Sequence, residues 1–395
     1  MASASYICST QLVFQELIDI IIQSLSRDIS SLLSLCLASR HSAHITQKYL
    51  YSRICLNFNS DVLQKFQLGS NRAAQWLATV TSNPSLAHHL ECIEVELVDE
   101  SFWPLLLPVL RTMNGLTNMS LFNPPTSCFR ELWECPFRLE QFTLVTRGLI
   151  QEEGLIKFLG EQTEIACITL AGDWTESQET RLSISSAACH SLRLFQGERT
   201  GIEVFLRDRP NVRWVYWISS PLHEGSTLPP SLDFGHILAR LTILILFAPA
   251  EQWSPHRPPL SHISQHLTAL RILAITGEYY KDELCEVSRL PRLVGFFLTG
   301  SHDYQRPPEP VEAGLANLWF RRSWSLRAVH FFIGTSIEDD STPTVKFRVW
   351  KRGAVNAILL QYNGEWDPER FCDELDISPN SLAEITEEGI PQMKS

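Results

Sequence analysis

One spacing recurs along this chain and restricts its fold more than any other feature: three apolar residues at i, i+3 and i+5. It begins with Leu90-Ile93-Val95 and returns as Leu116-Met119-Leu121, Leu139-Phe142-Leu144 and Ile165-Ile168-Leu170. Leu192-Phe195-Gly197 fits in part. Val212-Val215-Trp217, Leu241-Leu244-Leu246, Leu270-Leu273-Ile275, Leu293-Phe296-Leu298 and Leu326-Val329-Phe331 continue the series. The starts are roughly 20 to 33 residues apart, about 26 on average, which is the period of stacked supersecondary units. Such a triplet puts its side chains on the inner side of a short strand. One unit cannot bury that face alone, so each strand must stack beside its neighbour while a helix or loop returns outside. Gln75-Trp76-Leu77 and residues 153–159 have the pattern of returning helices, and the Pro-rich stretches 254–259 and 306–310 that of loops. A generic α/β core is the competing account of the same triplets.

If the triplets point inward, residues at i+2 and i+4 point to the opposite, concave face, because strand side chains alternate. That face carries Cys92 and Glu94, then Trp214 and Tyr216, Ile243 and Ile245 with Phe247 beyond, Gly295 and Phe297, and Ala328 and His330 with Phe332 beyond. A solvated strand face is polar, and this one is not. Two readings are open: a strip for binding a protein target, centred on Trp214, Tyr216, Phe247 and Phe297, or residues buried under flanking loops.

Past the last triplet, Val345 to Trp350, the turn Lys351-Arg352-Gly353 and Val355 to Tyr362 read as a β-hairpin that covers the last open strand. From Phe371 the chain is acidic, with Lys394 as its one base, and reads as a solvated tail.

Ahead of the repeats lies the apolar run Glu16 to Arg40, ELIDIIIQSLSRDISSLLSLCLASR. No Lys or Arg precedes it, as a signal peptide would require. Asp19, Gln23, Arg27 and Asp28 interrupt it short of the roughly 20 apolar residues of a membrane span. Leu17, Ile18, Ile20, Ile21, Ile22 and Leu25 have helical spacing, and Asp28 can cap a second helix holding Leu32, Leu33, Leu35 and Leu37. His41 to Tyr51 is a third helical segment that leads into the strand-like RICLNF. Three short helices with this much apolar surface cannot bury all of it among themselves. The excess docks either on the rest of the chain or on a partner.

The run from Val13 to Arg40, followed by Tyr49-Leu50-Tyr51 and Arg53-Ile54, resembles the F-box family, whose pattern runs L-P-x-E-L, Ile and Leu, a polar break, Ser/Leu-rich apolar residues and V-S-R. Phe14 stands where that family has Pro, and Ala38 where it has Val. The resemblance implies a three-helix module whose Phe14, Leu17, Ile21, Leu25, Leu32 and Leu35 bind the small Skp-type adaptor of cullin ubiquitin ligases. The triplets fall in the period range of leucine-rich repeats, although the Asn or Cys that usually follows is absent from most units. Together the two parts are similar to fungal F-box proteins with irregular leucine-rich repeats.

The expected fold is therefore α/β: an F-box-like module over residues 12–56, a helical linker over 57–89, an irregular leucine-rich-repeat solenoid over 90–344, a capping hairpin over 345–370 and an acidic tail over 371–395. The role the resemblance implies is that of a substrate-recognition subunit in the cytoplasm or nucleus. A repeat scaffold that keeps the helices as an N-terminal cap is the alternative.

Net charge is -11 and the pI is about 5.6, the wrong sign for a nucleic-acid or anionic-membrane binder. No Arg cluster is evident, which argues against recognition of a phosphorylated target without deciding it. The ten cysteines include no C-x-x-C pair and read as thiols of a reducing compartment. No phosphate-binding loop, nucleophile elbow or H-E-x-x-H motif occurs, and the i, i+4 pair His262 and His266 lacks further ligands for a metal. The chain is thus expected to need no cofactor or metal and to have no catalytic residues.

Overall fold

All ten triplets lie on strands or immediately before them. The structure, a computed structural model, describes residues 29–57, 69–96, 102–125, 127–150, 152–174, 189–218, 232–247, 260–276, 285–299, 309–336 and 344–363. The fold is mixed α/β, and the chain divides into two compact units, Met1–Ile218 and Ser219–Ser395.

In the first unit the strands follow one another in sequence order, each parallel to the next. They are β1 (Arg53–Asn57), β2 (Cys92–Glu96), β3 (Asn118–Phe122), β4 (Gln141–Ile150), β5 (Cys167–Trp174), β6 (Leu194–Gly197) and β7 (Trp214–Ile218). The register places the middle residue of every triplet beside that of the next: Ile93, Met119, Phe142, Ile168, Phe195 and Val215 form one row, and all are buried. In the second unit β8 (Ile243–Phe247), β9 (Ile272–Thr276), β10 (Gly295–Thr299) and β11 (Ala328–Ser336) repeat the parallel arrangement, with Leu244, Leu273, Phe296 and Val329 in one buried row. β12 (Thr344–Lys351) and β13 (Ile358–Asn363) then run antiparallel, which makes the expected hairpin. β13 begins at Ile358, three residues later than the pattern placed it. Gly353 sits at φ +79 in the turn, a conformation that favours glycine.

The helices labelled here are α1 (Ile29–Ala38), α2 (Arg40–Ser52), α3 (Gly69–Ser82), α4 (Trp103–Leu110), α5 (Cys128–Leu132), α6 (Glu152–Gly160) and α7 (Arg199–Leu206) in the first unit, with α8 (Leu232–Ala239), α9 (Leu260–Ile263) and α10 (Glu309–Arg322) in the second. The triplet side of the strands packs on them. Phe142 meets Phe158 of α6 at a centroid distance of 5.3 Å and Phe129 of α5 at 6.5 Å. Phe195 stacks on Phe205 of α7 at 5.3 Å, and Phe296 meets Trp319 of α10 edge-on at 5.1 Å. Burying such a ring contributes about 1.5–3 kcal/mol, and the edge-to-face geometry adds somewhat more.

Gly197 explains the incomplete triplet. A Cβ there would stand 2.6 Å from the Leu170 carbonyl oxygen and 3.0 Å from the Phe195 ring, so the two strands approach too closely for a side chain.

The sheet begins earlier than the sequence pattern suggested. β1 pairs with β2 in the same register as the later units, Ile54 beside Ile93 and Leu56 beside Val95, so Tyr51-Ile54-Leu56 is a further triplet. α2 ends at Ser52 and β1 starts at Arg53, with no loop between them.

A main-chain ladder joins the strands at their entry ends. The Glu91 carbonyl accepts from both Thr117 N–H (2.9 Å) and Asn118 N–H (2.9 Å). Thr117 O does the same for Glu140 and Gln141, Glu140 O for Ala166 and Cys167, and Ala166 O for Arg193 and Leu194. In the second unit Thr242 O, Arg271 O and Val294 O each take two donors from the following strand. A carbonyl has two lone pairs, so one acceptor at the strand entry can satisfy two donors of its neighbour. On the return side, Gln162 is buried and its Oε1 accepts from Leu139 N–H at 2.9 Å.

The hairpin is fastened by two arginines. Arg348 reaches the fully buried Glu312 of α10 at 3.1 Å and Glu309 at 3.4 Å. Arg352 donates Nε–H to Leu326 O at 2.7 Å, donates also to Ser323 O, and lies over the Phe320 ring.

Phe142→Ala, which empties the space between Phe129 and Phe158, is expected to cost about 3–5 kcal/mol in urea unfolding. Replacing exposed Glu134 by Ala is expected to change stability by less than about 0.5 kcal/mol.

Candidate functional site

Two surfaces were expected from the sequence, and each is built from a different part of the fold. The helical surface rests on α1 and α2. Ser39 separates them; its Oγ accepts the Ser42 N–H at 3.0 Å and so caps α2, while Ser42 Oγ donates to Leu35 O at 2.9 Å and ties the helices together. Of the six expected adaptor contacts, Phe14, Leu17, Ile21 and Leu25 lie outside the described residues. Leu32 is buried, and Leu35 is half-buried. The outward leucines of α1 are Leu33, 53% exposed, and Leu37, 89% exposed. They are four residues apart and therefore on one side of the helix. The apolar run around α1 gave no way to tell the leucine that packs inward from its neighbour that does not.

The strand face opposite the helices differs between the units. In the first unit one row runs Cys55, Glu94, Ser120, Thr143, Thr169, Gln196 and Tyr216 across the seven strands. It is polar along most of its length, and Thr169 Oγ1 donates to Gln196 Oε1 at 3.3 Å. Trp214 and Tyr216, both half-buried, close it on β7, so these two expected binding residues share one strand and one face. Burial pushes the Tyr216 hydroxyl up to about 12.

In the second unit the corresponding face is apolar. Phe247 on β8 is half-buried, but Ile245, Ile272, Ala274 and Phe297 are buried. Phe297 therefore leaves the expected strip. Its ring stacks on His330 of β11 at 4.2 Å and meets Phe347 of β12 edge-on at 5.9 Å, and all three are buried. The aromatic character that suggested an interface here serves packing. His330 is completely buried, and desolvation, with the charge of Lys351 adding the same sign, holds its imidazole well below the ordinary histidine range.

The folded state thus keeps His330 neutral at pH values where the unfolded chain takes up a proton. Stability is full above about 6.5 and is lost as pH falls from there toward the folded value, at no more than about 1.4 kcal/mol per pH unit. His330→Phe is expected to flatten that part of a stability–pH curve measured by urea unfolding.

Among the described residues no three His, Cys, Asp or Glu side chains converge on a metal-sized site, and no helix is long and apolar enough to cross a membrane. The eight described cysteines are free thiols. Burial pushes Cys135, Cys167 and Cys189 up to about 11, and Cys128 further still. Among the described cysteines, maleimide labelling at pH 8, mapped by peptide mass, is expected to modify the exposed Cys55 and Cys285 first and Cys128 and Cys189 only after unfolding. Comparison with known proteins adds no relative: no family model matches the chain, and no curated protein is significantly similar to it.

Proposed function

We propose that this protein is a substrate-recognition subunit of an SCF-type ubiquitin ligase, an F-box protein with an irregular leucine-rich-repeat solenoid. In this reading its N-terminal helices bind a Skp-type adaptor and its repeats bind a protein target. The observation that carries the reading is the pair of exposed leucines, Leu33 and Leu37, on a helix that the F-box-like sequence already marked as partner-binding. Two large apolar side chains on one turn of a surface helix have a reason to be there if a partner covers them. The direct passage from α2 into β1 supports the same role. A partner held on the helices is then held at a fixed orientation to the sheet, without a flexible joint. The protein itself performs no bond chemistry in this role; holding target and ligase together raises the effective concentration of one near the other. Such work belongs in the cytoplasm or nucleus.

A repeat scaffold without a ligase role is the second reading. It is favoured by β1, which continues the repeat register, so that α1 and α2 serve as the end cover that a stack of repeats needs.

Co-purification with a Skp-type adaptor separates them. The wild-type chain is expected to retain the adaptor, and Leu33→Arg with Leu37→Arg to lose it by at least tenfold while melting at the same temperature. Leu32→Arg, by contrast, is expected to lower the melting temperature, because it places a charge in a buried position. Failure of the folded wild type to bind the adaptor supports the scaffold instead.

A further inference from the structure

The strand-entry edge of the second unit is lined with arginine. The main-chain ladder stacks four successive positions there: Val294 N–H donates to Arg271 O at 2.7 Å, Arg327 N–H to Val294 O at 2.8 Å, and Arg352 N–H to Arg327 O at 2.8 Å. Arg292 lies two residues before Val294 on the same edge, and Lys351 ends β12 there. Arg292, Arg327 and Arg352 are all exposed. No Asp or Glu occurs from Asn317 to Ser336 or from Thr344 to Asn363, in a chain whose net charge is -11. Glu338 to Asp340, which follow the other end of β11, lie outside the described residues. Trp324, on the connection between α10 and β11, is 75% exposed, and that connection is held in place by Arg352 through the carbonyls of Ser323 and Leu326.

Arg321 and Arg322 stand in the last turn of α10, where a helix C-terminus favours cations in any case, so they are not counted. Arg352 is also committed to carbonyls and to the Phe320 ring. What remains are Arg292 and Arg327, exposed at two neighbouring strand entries, with the exposed indole of Trp324 on the connection that leads to Arg327. Three ladder steps from Arg271 to Arg352 cover about 14 Å, the length of roughly four extended residues.

We propose that this edge is a docking site for an extended acidic segment of a protein target, with carboxylate or phosphate groups on Arg292 and Arg327 and an apolar side chain against Trp324. Charge complementarity argues for it, since guanidinium forks pair with both anions, often bidentately. The negative field of the whole chain argues against the long polyanions of nucleic acid, whereas a short segment feels mainly the local row. The inference rests on the target-receptor reading and assigns the target a chemistry.

The test is fluorescence anisotropy with the full chain and a labelled peptide of about a dozen residues, rich in Glu with one central Leu. Its phosphoserine counterpart, a Lys-rich peptide, single-stranded RNA and phosphatidylserine vesicles are the comparisons. The acidic peptide is expected to bind and to weaken as salt rises. Arg292→Glu with Arg327→Glu should weaken it at least tenfold at an unchanged melting temperature, and Trp324→Ala by severalfold. Tighter binding of the phosphopeptide makes phosphate the preferred anion; equal binding makes it carboxylate. No binding of either acidic peptide at low salt, affinity untouched by the double substitution, or tighter binding of RNA or vesicles overturns the proposal. Adaptor retention, assayed on the same preparations, is separate: if it persists while both acidic peptides fail, only the docking edge is lost, and if it fails while they bind, only the ligase role is.

Discussion

A main-chain carbonyl that accepts two N–H groups from the next strand is the contact on which the rest of this protein depends. At β2 through β6 and β8 through β11 it fixes where a strand starts relative to its neighbour. Once that is set, the first apolar residue of every triplet arrives beside the previous one, and the buried rows follow. The tie acts only at the strand entry, so the return segment can be α6, a short 3-10 turn or a long connection without disturbing the sheet. This is why unequal spacings between units coexist with a uniform register.

The second unit ends by reversing direction. β12 and β13 run antiparallel, and the position of β12 is fixed from two sides. Arg348 neutralises the buried Glu312 on the helix side, where a lone carboxylate would be costly. On the other side Phe297, His330 and Phe347 pack ring against ring. β12 is thus integrated into the core through Phe347, Val349 and Trp350, whereas β13 lies outside it with Ile358 and Leu359 exposed.

The triplets were legible because they are periodic, and Phe142 or Leu273 could be assigned to the interior from spacing alone. Gly197 looked like a defect because close approach of the Leu170 carbonyl leaves no trace in the sequence. The ladder was invisible for a similar reason: any residue except proline can donate its N–H, so no side chain marks the place. Leu32 and Leu33 differ in burial although they are adjacent and identical, and only the contact of α1 with α2 separates them. Phe297 and Trp214 met the same criterion of aromatic residues on the face away from the helices. Stacking on His330 buries one, whereas the other is half-open on β7. The arginines of the entry edge escaped a linear reading because more than twenty residues separate Arg271, Arg292, Arg327 and Arg352 in the chain, and only folding sets Arg271, Arg327 and Arg352 on one ladder with Arg292 two residues before its Val294 rung.

The ladder itself is made of peptide groups, so most side chains on its rungs take no part in it; Thr117, whose Oγ1 also donates to Glu91 O, and Arg352, which ties the hairpin to Leu326 O, are the exceptions. Glu91 and Glu140 occupy these positions in the first unit and Arg271 in the second, and each of the three carbonyls takes two N–H donors. Selection can therefore change the sign of charge along such a row one codon at a time, with the scaffold indifferent to each step. Closely related chains built on this plan would be expected to diverge fastest at those rungs while the triplets beside them stay fixed.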